Sequence, residues 1–241
     1  MADKNGTCFC KKNWKLIVGA ALFVLFLILI VLLKTVDVQL DANTDKEIGL
    51  SSVNFAARDA IGERFGLYDL TEYLGYFAIL LAACFAVWAV VRFFFARFDL
   101  RKTGLDFAVL AGLYAAVVVF YVLFEFLAIN YRPVLLDGKA EASFPSSHTM
   151  LAITVFVSAA RILYRRFDLR VSSVLFSLPF YALAAFVTVA RLLSGVHWLT
   201  DIIGGVLLSS ALLFLFSFFS DRIPVESDEK KEETEEPAPA E

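Results

Sequence analysis

Cysteine is scarce in this chain, which contains three cysteines among 241 residues. Three cysteines cannot build the disulfide framework of a small secreted domain. Cys8 and Cys10 lie in the N-terminal tail and Cys84 lies within an apolar run, so we interpret all three as reduced, structural or incidental thiols. Palmitoylation of Cys8 or Cys10, which lie near a predicted span, is the alternative. The sequence shows no internal repeat.

Net charge is also low, at −3 at pH 7, and it gives no sign of a nucleic-acid partner, so none is expected. Apolar residues, in contrast, are in excess. They make up 59% of the chain, with a mean hydropathy of +0.72, whereas soluble domains are about 45–50% apolar. The length allows one compact domain.

The apolar residues are concentrated in six runs that predict membrane-spanning helices. We interpret the first run as a retained span and not a signal peptide, because no A-x-A-like cleavage site follows it directly. The fifth contains Pro179, and the sixth contains the Gly204-Gly205 pair, which permits close helix contact. The predicted spans are Leu16–Leu33, Tyr73–Val91, Phe107–Phe124, Thr149–Leu163, Val174–Leu193 and Leu199–Phe219. We therefore expect an all-α, polytopic membrane protein with six transmembrane helices.

Basic residues beside the spans predict the orientation of the chain. Six spans put both termini on one side, and the clusters of Lys and Arg fall on that side too. They are Lys4, Lys11, Lys12, Lys15, Arg92, Arg97, Arg101, Lys102, Arg161, Arg165, Arg166, Arg170 and Arg222. By the positive-inside rule this side is cytoplasmic. We expect a plasma-membrane protein with a cytoplasmic tail at 1–15, a six-span domain at 16–220, and the segments 34–72, 128–148 and 194–198 on the extracytoplasmic face.

Two segments outside the spans have patterns of their own. Within 34–72, small and apolar residues recur at helical spacing, at Leu50, Val53, Ala57, Ala60 and Ile61. This pattern is equally compatible with an amphipathic helix at the outer interface and with an ordinary covering loop. Asp69 and Glu72 are then expected to form a capping box for the second span. The acidic, proline-containing tail at 221–241 lacks aromatic residues and is expected to be disordered.

The chain has only two histidines, and each lies beside a span end on the outer side, near an arginine and small polar residues. Ionisable groups at membrane depth are costly and mark functional sites. His197 and Asp201 are four residues apart and share a face on a helix, so the carboxylate can fix the imidazole tautomer and leave a nucleophile or base. Ser194-Gly195 ends the preceding span and lets Arg191, whose fork of donors suits phosphate, return toward the same point.

The other histidine belongs to the sequence Pro-Ser-Ser-His at 145–148, where the fourth span begins. Ser146 or Ser147 can cap this helix, and the free backbone N–H groups there bind anions. His148 thus stands at an anion site, where it can protonate a leaving oxygen. The simpler interpretation, that the serines only cap the helix, leaves His148 unexplained.

A third motif, Asn-Tyr-Arg-Pro at 130–133, ends the third span. Alone, Arg132 is an interface anchor; together with Arg191 it becomes a second phosphate clamp. In this order and between these spans, Arg-Pro, Pro-Ser-x-His and Arg-x5-His-x3-Asp resemble the type 2 phosphatidic acid phosphatase superfamily, over roughly Tyr73–Phe219. That family includes bacterial lipid phosphate phosphatases and shares its site with vanadium haloperoxidases.

The resemblance implies a role for each motif residue. His197 is similar to the nucleophile that becomes a phosphohistidine, Asp201 to its orienting partner, and His148 to the acid. The residues expected to hold the phosphate are Arg132, Ser146, Ser147 and Arg191. No cofactor is expected and no metal, because the arginines favour an anion over zinc. The expected activity is metal-independent hydrolysis of a lipid phosphate or pyrophosphate within a phosphatase-type helical bundle.

Two positions depart from the family pattern. The family has lysine seven residues before the Arg of Arg-Pro, where this chain has Glu125, and it usually has glycine where this chain has Ser147. Seven residues are nearly two helical turns, so Glu125 and Arg132 share a face if the helix continues. One hypothesis is that Glu125 pairs with Arg132 and orients it. Another is that Lys139, in the outer loop, supplies the missing positive charge.

Several substrates and functions stay open. Undecaprenyl pyrophosphate, phosphatidic acid and phosphatidylglycerol phosphate all fit, and the first is preferred by family analogy, since an outward site suits recycling of the cell-wall carrier lipid. A non-catalytic phospholipid-binding or transport protein is the alternative that Glu125 favours and the complete set of His148, Arg191, His197 and Asp201 opposes. A lipid phosphotransferase would use the same phosphohistidine. A haloperoxidase fits poorly, because a multi-span body suits a lipid substrate better.

Overall fold

The computed structural model of the protein describes residues 4–99, 104–167 and 173–223. The predicted tail lies outside the described residues from 224 onward, and so do Arg101, Lys102 and Arg170. The described chain forms seven helices and one hairpin. They are α1 (Lys4–Thr35), β1 (Gln39–Asp41), β2 (Lys46–Ile48), α2 (Ser51–Ile61), α3 (Gly66–Phe95), α4 (Leu105–Leu127), α5 (Ser147–Phe167), α6 (Ser173–Leu193) and α7 (Leu199–Ser220). The two strands pair antiparallel, with Gln39 opposite Ile48.

Six of these helices are long and apolar enough to cross a membrane, namely all except α2. Their outer surfaces are apolar, as expected where lipid replaces water. Val87 on α3 and Val118 and Val119 on α4, for example, are 63%, 59% and 62% exposed. The prediction of an all-α membrane protein with six long apolar helices is therefore confirmed, and the protein is a multi-pass membrane protein.

Two expectations that depended on helix ends are wrong. Helix α3 begins at Gly66 with Phe65 as its N-cap, so Asp69 and Glu72 lie inside its first two turns and cannot form the expected capping box. Helix α4 ends at Leu127, where Ala128 takes a left-handed conformation with φ of 42°. Arg132 therefore lies beyond the helix and shares no helical face with Glu125.

Three phenylalanines join the loop before α5 to the helices around it. The Phe144 ring stacks on Phe26 of α1 with centroids 5.7 Å apart and meets Phe124 of α4 edge-on at 6.0 Å. Helix α7 comes close because Gly204 has no side chain, since a Cβ there would lie 2.4 Å from the Phe144 ring. The Gly204-Gly205 pair thus permits the close contact that the sequence predicts, and it fixes the chain just before residue 145.

An ion-pair cluster marks the end of the bundle away from the histidines. Asp221, directly after α7, pairs with Lys15 of α1 and with Arg161 of α5, and Arg165 Nη1 lies 3.9 Å from its carboxylate. Two of the basic clusters used to predict the orientation, the one before the first span and the one between the fourth and fifth spans, therefore meet at one end. His148 and His197 lie at the opposite ends of the helices that these clusters close.

Candidate active site

The His197 loop is formed by the break between α6 and α7. Gly195 takes a positive φ of 76°, which turns the chain after α6 ends. Oδ2 of Asp201 accepts a hydrogen bond from the Trp198 N–H at 2.9 Å and lies 3.5 Å from Nδ1 of His197. Asn130 Nδ2 lies 3.5 Å from the other carboxylate oxygen. The imidazole therefore turns Nδ1 toward a fixed carboxylate and Nε2 away from it.

Arg132 faces the free nitrogen of this imidazole. Its Nη1 lies 3.3 Å from Nε2 of His197, and its Nε lies 3.2 Å from Oε2 of Glu141. A guanidinium has only donors, so Nε2 meets it as an unprotonated acceptor. Burial lowers the pKa of His197 well below its usual range, and the charges of Arg132, Arg191 and His148 lower this pKa further. His197 is thus a neutral imidazole whose lone pair on Nε2 faces Arg132.

Arg191 is completely buried and is held by α3. Its Nη1 donates to Oε1 of Glu72 at 2.9 Å and to Oγ1 of Thr71 at 3.0 Å, and its Cζ lies 5.2 Å from the centroid of the Tyr68 ring. Its Nε and Nη2 are buried without a hydrogen-bond partner among the described residues. These two nitrogens form the edge that binds a phosphate in a bidentate way. The structure therefore holds a fixed, buried cation whose second edge, the open edge, meets no hydrogen-bond acceptor among the described residues.

The start of α5 brings the second histidine to the site. Ser146 precedes the helix, with its Oγ 3.5 Å from the Thr149 N–H and its own N–H donating to the Asp201 carbonyl oxygen at 3.0 Å. Ser146 is buried in this capping position. His148, in the first turn, directs Nε2 toward Oε1 of Glu72 at 3.3 Å, and its Nδ1 is buried without a hydrogen-bond partner in the described chain. His148 and Arg191 thus share one carboxylate.

A cavity of about 250 Å³ opens beside His197. Arg132 and Ser147 line it together with His197, and Tyr121, Phe124 and Glu125 of α4 form the wall across from them. The remaining lining residues are Glu141, Ala142, Ser143, Phe144, Pro145 and Met150. Two carboxylates, those of Glu125 and Glu141, therefore border the space next to the imidazole.

The structure shows the positions of Glu125, which was expected to pair with Arg132, and of Lys139, which was expected to supply the missing positive charge. Glu125 lines the cavity, but within the described residues Arg132 makes its ion pair with Glu141 and none with Glu125. The hypothesis of a Glu125–Arg132 pair is therefore wrong, because α4 ends before Arg132. Lys139 is exposed at the end of a short turn, where it pairs with Leu136, and it does not line the cavity.

Helix α2 covers the back of the His197 loop. The Phe55 ring meets the Trp198 ring edge-on at 5.4 Å, and the Arg58 guanidinium lies 5.4 Å from the same ring. Arg58 also donates to the carbonyl oxygen of Pro133 at 3.0 Å, next to Arg132. The residues that α2 buries are polar, Ser51 and Asn54, whereas Val53 of the expected apolar stripe is 51% exposed. That α2 lies at the membrane interface stays a prediction.

Sequence reasoning missed the contribution of α3 to the site. Tyr68, Thr71, Glu72 and Gly75 are spaced at i, i+3, i+4 and i+7 and face Arg191 and His148. A stripe of polar and small residues entering a long apolar run was the signal that could have revealed them. Asn130 and Glu141, next to motif residues, were missed as well.

Comparisons with known proteins bear on the family of the segment that holds these residues. A model of the PAP2 superfamily matches residues 127–223, the range that holds Arg132, His148, Arg191, His197 and Asp201. Residues 127–223 belong to the PAP2 superfamily. The resemblance seen in the motifs is thereby confirmed. The PAP2 segment excludes α3, so Glu72 lies outside it.

One solved structure shares the fold along nearly all of its length. It is the crystal structure of the first transmembrane PAP2 type phosphatidylglycerolphosphate phosphatase from Bacillus subtilis. The TM-score is 0.64 at 21% sequence identity, and the match covers 86% of this chain and 97% of that one. No curated protein matches the chain. Because the match covers 86% of this chain, the likeness shows that the shared fold extends beyond residues 127–223.

Proposed function

We propose that the protein is an integral-membrane phosphatase that removes phosphate from a lipid of the outer leaflet through a phosphohistidine at His197. One observation carries the proposal. Nε2 of a buried, neutral imidazole faces the guanidinium of Arg132 at 3.3 Å, while a carboxylate lies behind Nδ1. A nucleophilic nitrogen beside a fixed cation suits attack on a phosphorus atom whose oxygens carry negative charge.

In the first step, Nε2 of His197 attacks phosphorus in line with the leaving oxygen. The P–N bond forms as the P–O bond breaks, and His148 gives a proton to the departing oxygen. Asp201 stabilises the imidazolium that develops on His197. Arg132 and the open edge of Arg191 neutralise the equatorial phosphate oxygens, because phosphoryl transfer depends mainly on positioning and charge stabilisation.

In the second step, water replaces the alcohol. His148, now neutral, takes a proton from the water as its oxygen attacks phosphorus, and the P–N bond breaks. His197 returns to its neutral form, and phosphate leaves. The net reaction consumes one water for each lipid phosphate. Every proton and negative charge has a protein group to meet it, so we propose that the reaction is independent of metal ions.

The orientation and the cavity suggest the substrate. The cluster around Asp221 joins the basic segments that the positive-inside rule assigns to the cytoplasm, which supports an outward-facing site at the other end. Glu125 and Glu141 border the cavity and would repel a second phosphate. This lining favours a phosphate monoester, such as phosphatidic acid or phosphatidylglycerol phosphate. The preference for undecaprenyl pyrophosphate rests on family analogy.

Phosphate release by the purified protein tests the proposal. The substrates are phosphatidic acid, phosphatidylglycerol phosphate and undecaprenyl pyrophosphate, and the variants are His197→Ala and, as a matched surface control, Lys139→Ala. We expect release with wild type and Lys139→Ala and only background release with His197→Ala. Wild type that binds these lipids without releasing phosphate is a non-catalytic lipid-binding protein, and release by His197→Ala at the wild-type rate removes His197 from the reaction.

A further inference from the structure

Glu72 of α3 contacts His148 and Arg191, two side chains of the proposed reaction that belong to other helices. We infer that Glu72 is a positioning residue, which fixes His148 as the proton donor and Arg191 as the phosphate clamp. Oε1 of Glu72 lies 2.9 Å from Nη1 of Arg191 and 3.3 Å from Nε2 of His148. The inference deepens the proposed function and rests on it.

Four residues in the first turns of α3, on one face of the helix, contact Arg191 or His148. Tyr68, Thr71 and Glu72 lie against Arg191, and Gly75 lies one turn further along the same face. A Cβ at Gly75 would lie 2.7 Å from Cδ2 of the His148 ring, so only glycine lets the ring rest against the helix. Three kinds of contact from one helix face therefore converge on the two side chains.

The contact with Arg191 sets which edge of its guanidinium is free. Thr71 and Glu72 both bind Nη1, and this leaves Nε and Nη2 buried and without a partner among the described residues. A long side chain that is already fixed loses little further entropy when it binds the phosphate. Glu72 thus orients the open edge of Arg191 before substrate arrives.

The contact with His148 sets which nitrogen keeps its proton. When His148 is an imidazolium, Nε2–H points at the Glu72 carboxylate, and the proton on Nδ1 is the one left to transfer. The Nδ1 proton passes to the leaving oxygen as the P–O bond breaks, and Glu72 stays ionised and keeps hold of Nε2–H. The arrangement parallels that of Asp201 and His197, in which a carboxylate also orients an imidazole.

A different role for Glu72 would be to occupy the phosphate position when no substrate is bound. The contacts of Arg191 oppose this role. Glu72 and Thr71 share Nη1 and leave the bidentate edge open, whereas a carboxylate standing in for phosphate would cover that edge. The two roles also predict opposite results when the charge of Glu72 is removed.

The test compares substrates that differ in their need for a proton donor. An alkyl phosphate, such as a short-chain phosphatidic acid, must have its leaving oxygen protonated, whereas p-nitrophenolate leaves without a proton. General acid catalysis contributes about 10²–10⁴-fold. For Glu72→Gln we therefore expect kcat/KM, which reports the phosphorylation step alone, to fall about 100-fold with the alkyl phosphate and less than about tenfold with p-nitrophenyl phosphate. Glu72→Asp keeps the charge and should give an intermediate ratio.

Two further variants serve as controls. Asp69→Asn removes an exposed carboxylate from the same helix and should keep the wild-type ratio. Thr71→Val removes a support of Arg191 without touching His148, so it should raise KM for both substrates equally. The ratio of the two kcat/KM values does not depend on how much of a variant folds, so partial misfolding of Glu72→Gln does not obscure the result.

The outcomes separate this inference from the proposed function. Wild type that is inactive on both substrates overturns the proposed function and the inference with it. Active wild type together with a Glu72→Gln ratio equal to the wild-type ratio overturns the inference alone. Stronger inhibition of Glu72→Gln by inorganic phosphate, with kcat preserved for the alkyl phosphate, would assign Glu72 the phosphate-occupying role and also overturn it.

Discussion

Nη1 of Arg132 lies 3.3 Å from Nε2 of His197, so the proposed nucleophilic atom contacts a cation proposed to bind the phosphate. The contact leaves the lone pair of Nε2 facing a donor, and Asp201 lies behind the opposite nitrogen at 3.5 Å. Catalytic hydrogen bonds are often long before substrate binds. A phosphate oxygen that binds Arg132 would move the guanidinium away from Nε2 of His197 and place the phosphorus atom next to Nε2.

The first prediction concerns pH. Burial, together with the charges of Arg132, Arg191 and His148, lowers the pKa of His197, so the imidazole stays unprotonated as the pH falls through the usual histidine value of about 6.5. Activity should therefore be lost only at a pH well below about 6.5, where His197 gains its proton. The measurement is kcat/KM against pH with two substrates whose phosphates differ in acidity, because only an enzyme group gives the same acid limb with both. If kcat/KM falls with the same midpoint for both substrates at or above about pH 6.5, this account is contradicted.

The second prediction concerns the cavity carboxylates. Glu125→Gln removes one of the two negative charges beside the imidazole, so we expect turnover of undecaprenyl pyrophosphate to rise several-fold relative to phosphatidic acid. Lys139→Ala should leave both rates unchanged, because Lys139 is exposed and does not line the cavity. An unchanged ratio in Glu125→Gln would remove Glu125 from substrate discrimination.

The third prediction concerns stability. Asn54 of α2 donates to Oγ1 of Thr200 at 3.0 Å and accepts from the Thr200 N–H at 3.2 Å, in the buried first turn of α7. Asn54→Ala leaves these groups unpaired, and the free energy of unfolding should fall by about 1–3 kcal/mol. Unfolding in detergent measures the change, with Val53→Ala, on the exposed side of α2, as the control. Equal losses in the two variants would mean that the hydrogen bonds of Asn54 contribute nothing.

The fourth prediction concerns metal ions. A divalent cation at Nε2 of His197 would meet the positive charge of Arg132, so EDTA should leave phosphate release unchanged. Loss of activity in EDTA that is restored by adding a divalent ion is the result that excludes a metal-independent mechanism.

Much of the fold follows from the sequence. Hydropathy predicts the six long helices, and the Gly204-Gly205 pair predicts that α7 packs closely against a neighbour, which is the segment around Phe144. Local motifs also locate Arg132, His148, Arg191, His197 and Asp201, because each lies within a few residues of a span end. What local patterns cannot show is which distant side chain reaches them. Glu72 is an example, because it is 119 residues from Arg191 and meets it only through helix packing.

The errors have physical causes. Hydropathy places the start of the second span at Tyr73, because the first turns of α3 contain polar residues. Two of these, Thr71 and Glu72, contact Arg191, and Glu72 also contacts His148. For α2, the apolar stripe indicates an amphipathic helix at the outer interface, which stays a prediction, but it does not show that the helix buries the polar residues Ser51 and Asn54. Free N–H groups in the first turn of α7 need acceptors, and Asn54 supplies one. In both helices, polar contacts with distant residues, which a hydropathy pattern does not register, decide which polar side chains are buried.

The identity of the phosphorylated residue during turnover tests the central claim most directly. The protein is mixed with a lipid phosphate labelled in its phosphate group, and the reaction is quenched in base, in which phosphohistidine survives. Mass spectrometry then locates the label. We expect a phosphate on His197 that acid removes and that the His197→Ala variant lacks. Turnover without any phosphorylated His197, or with the label on another residue, would contradict the account.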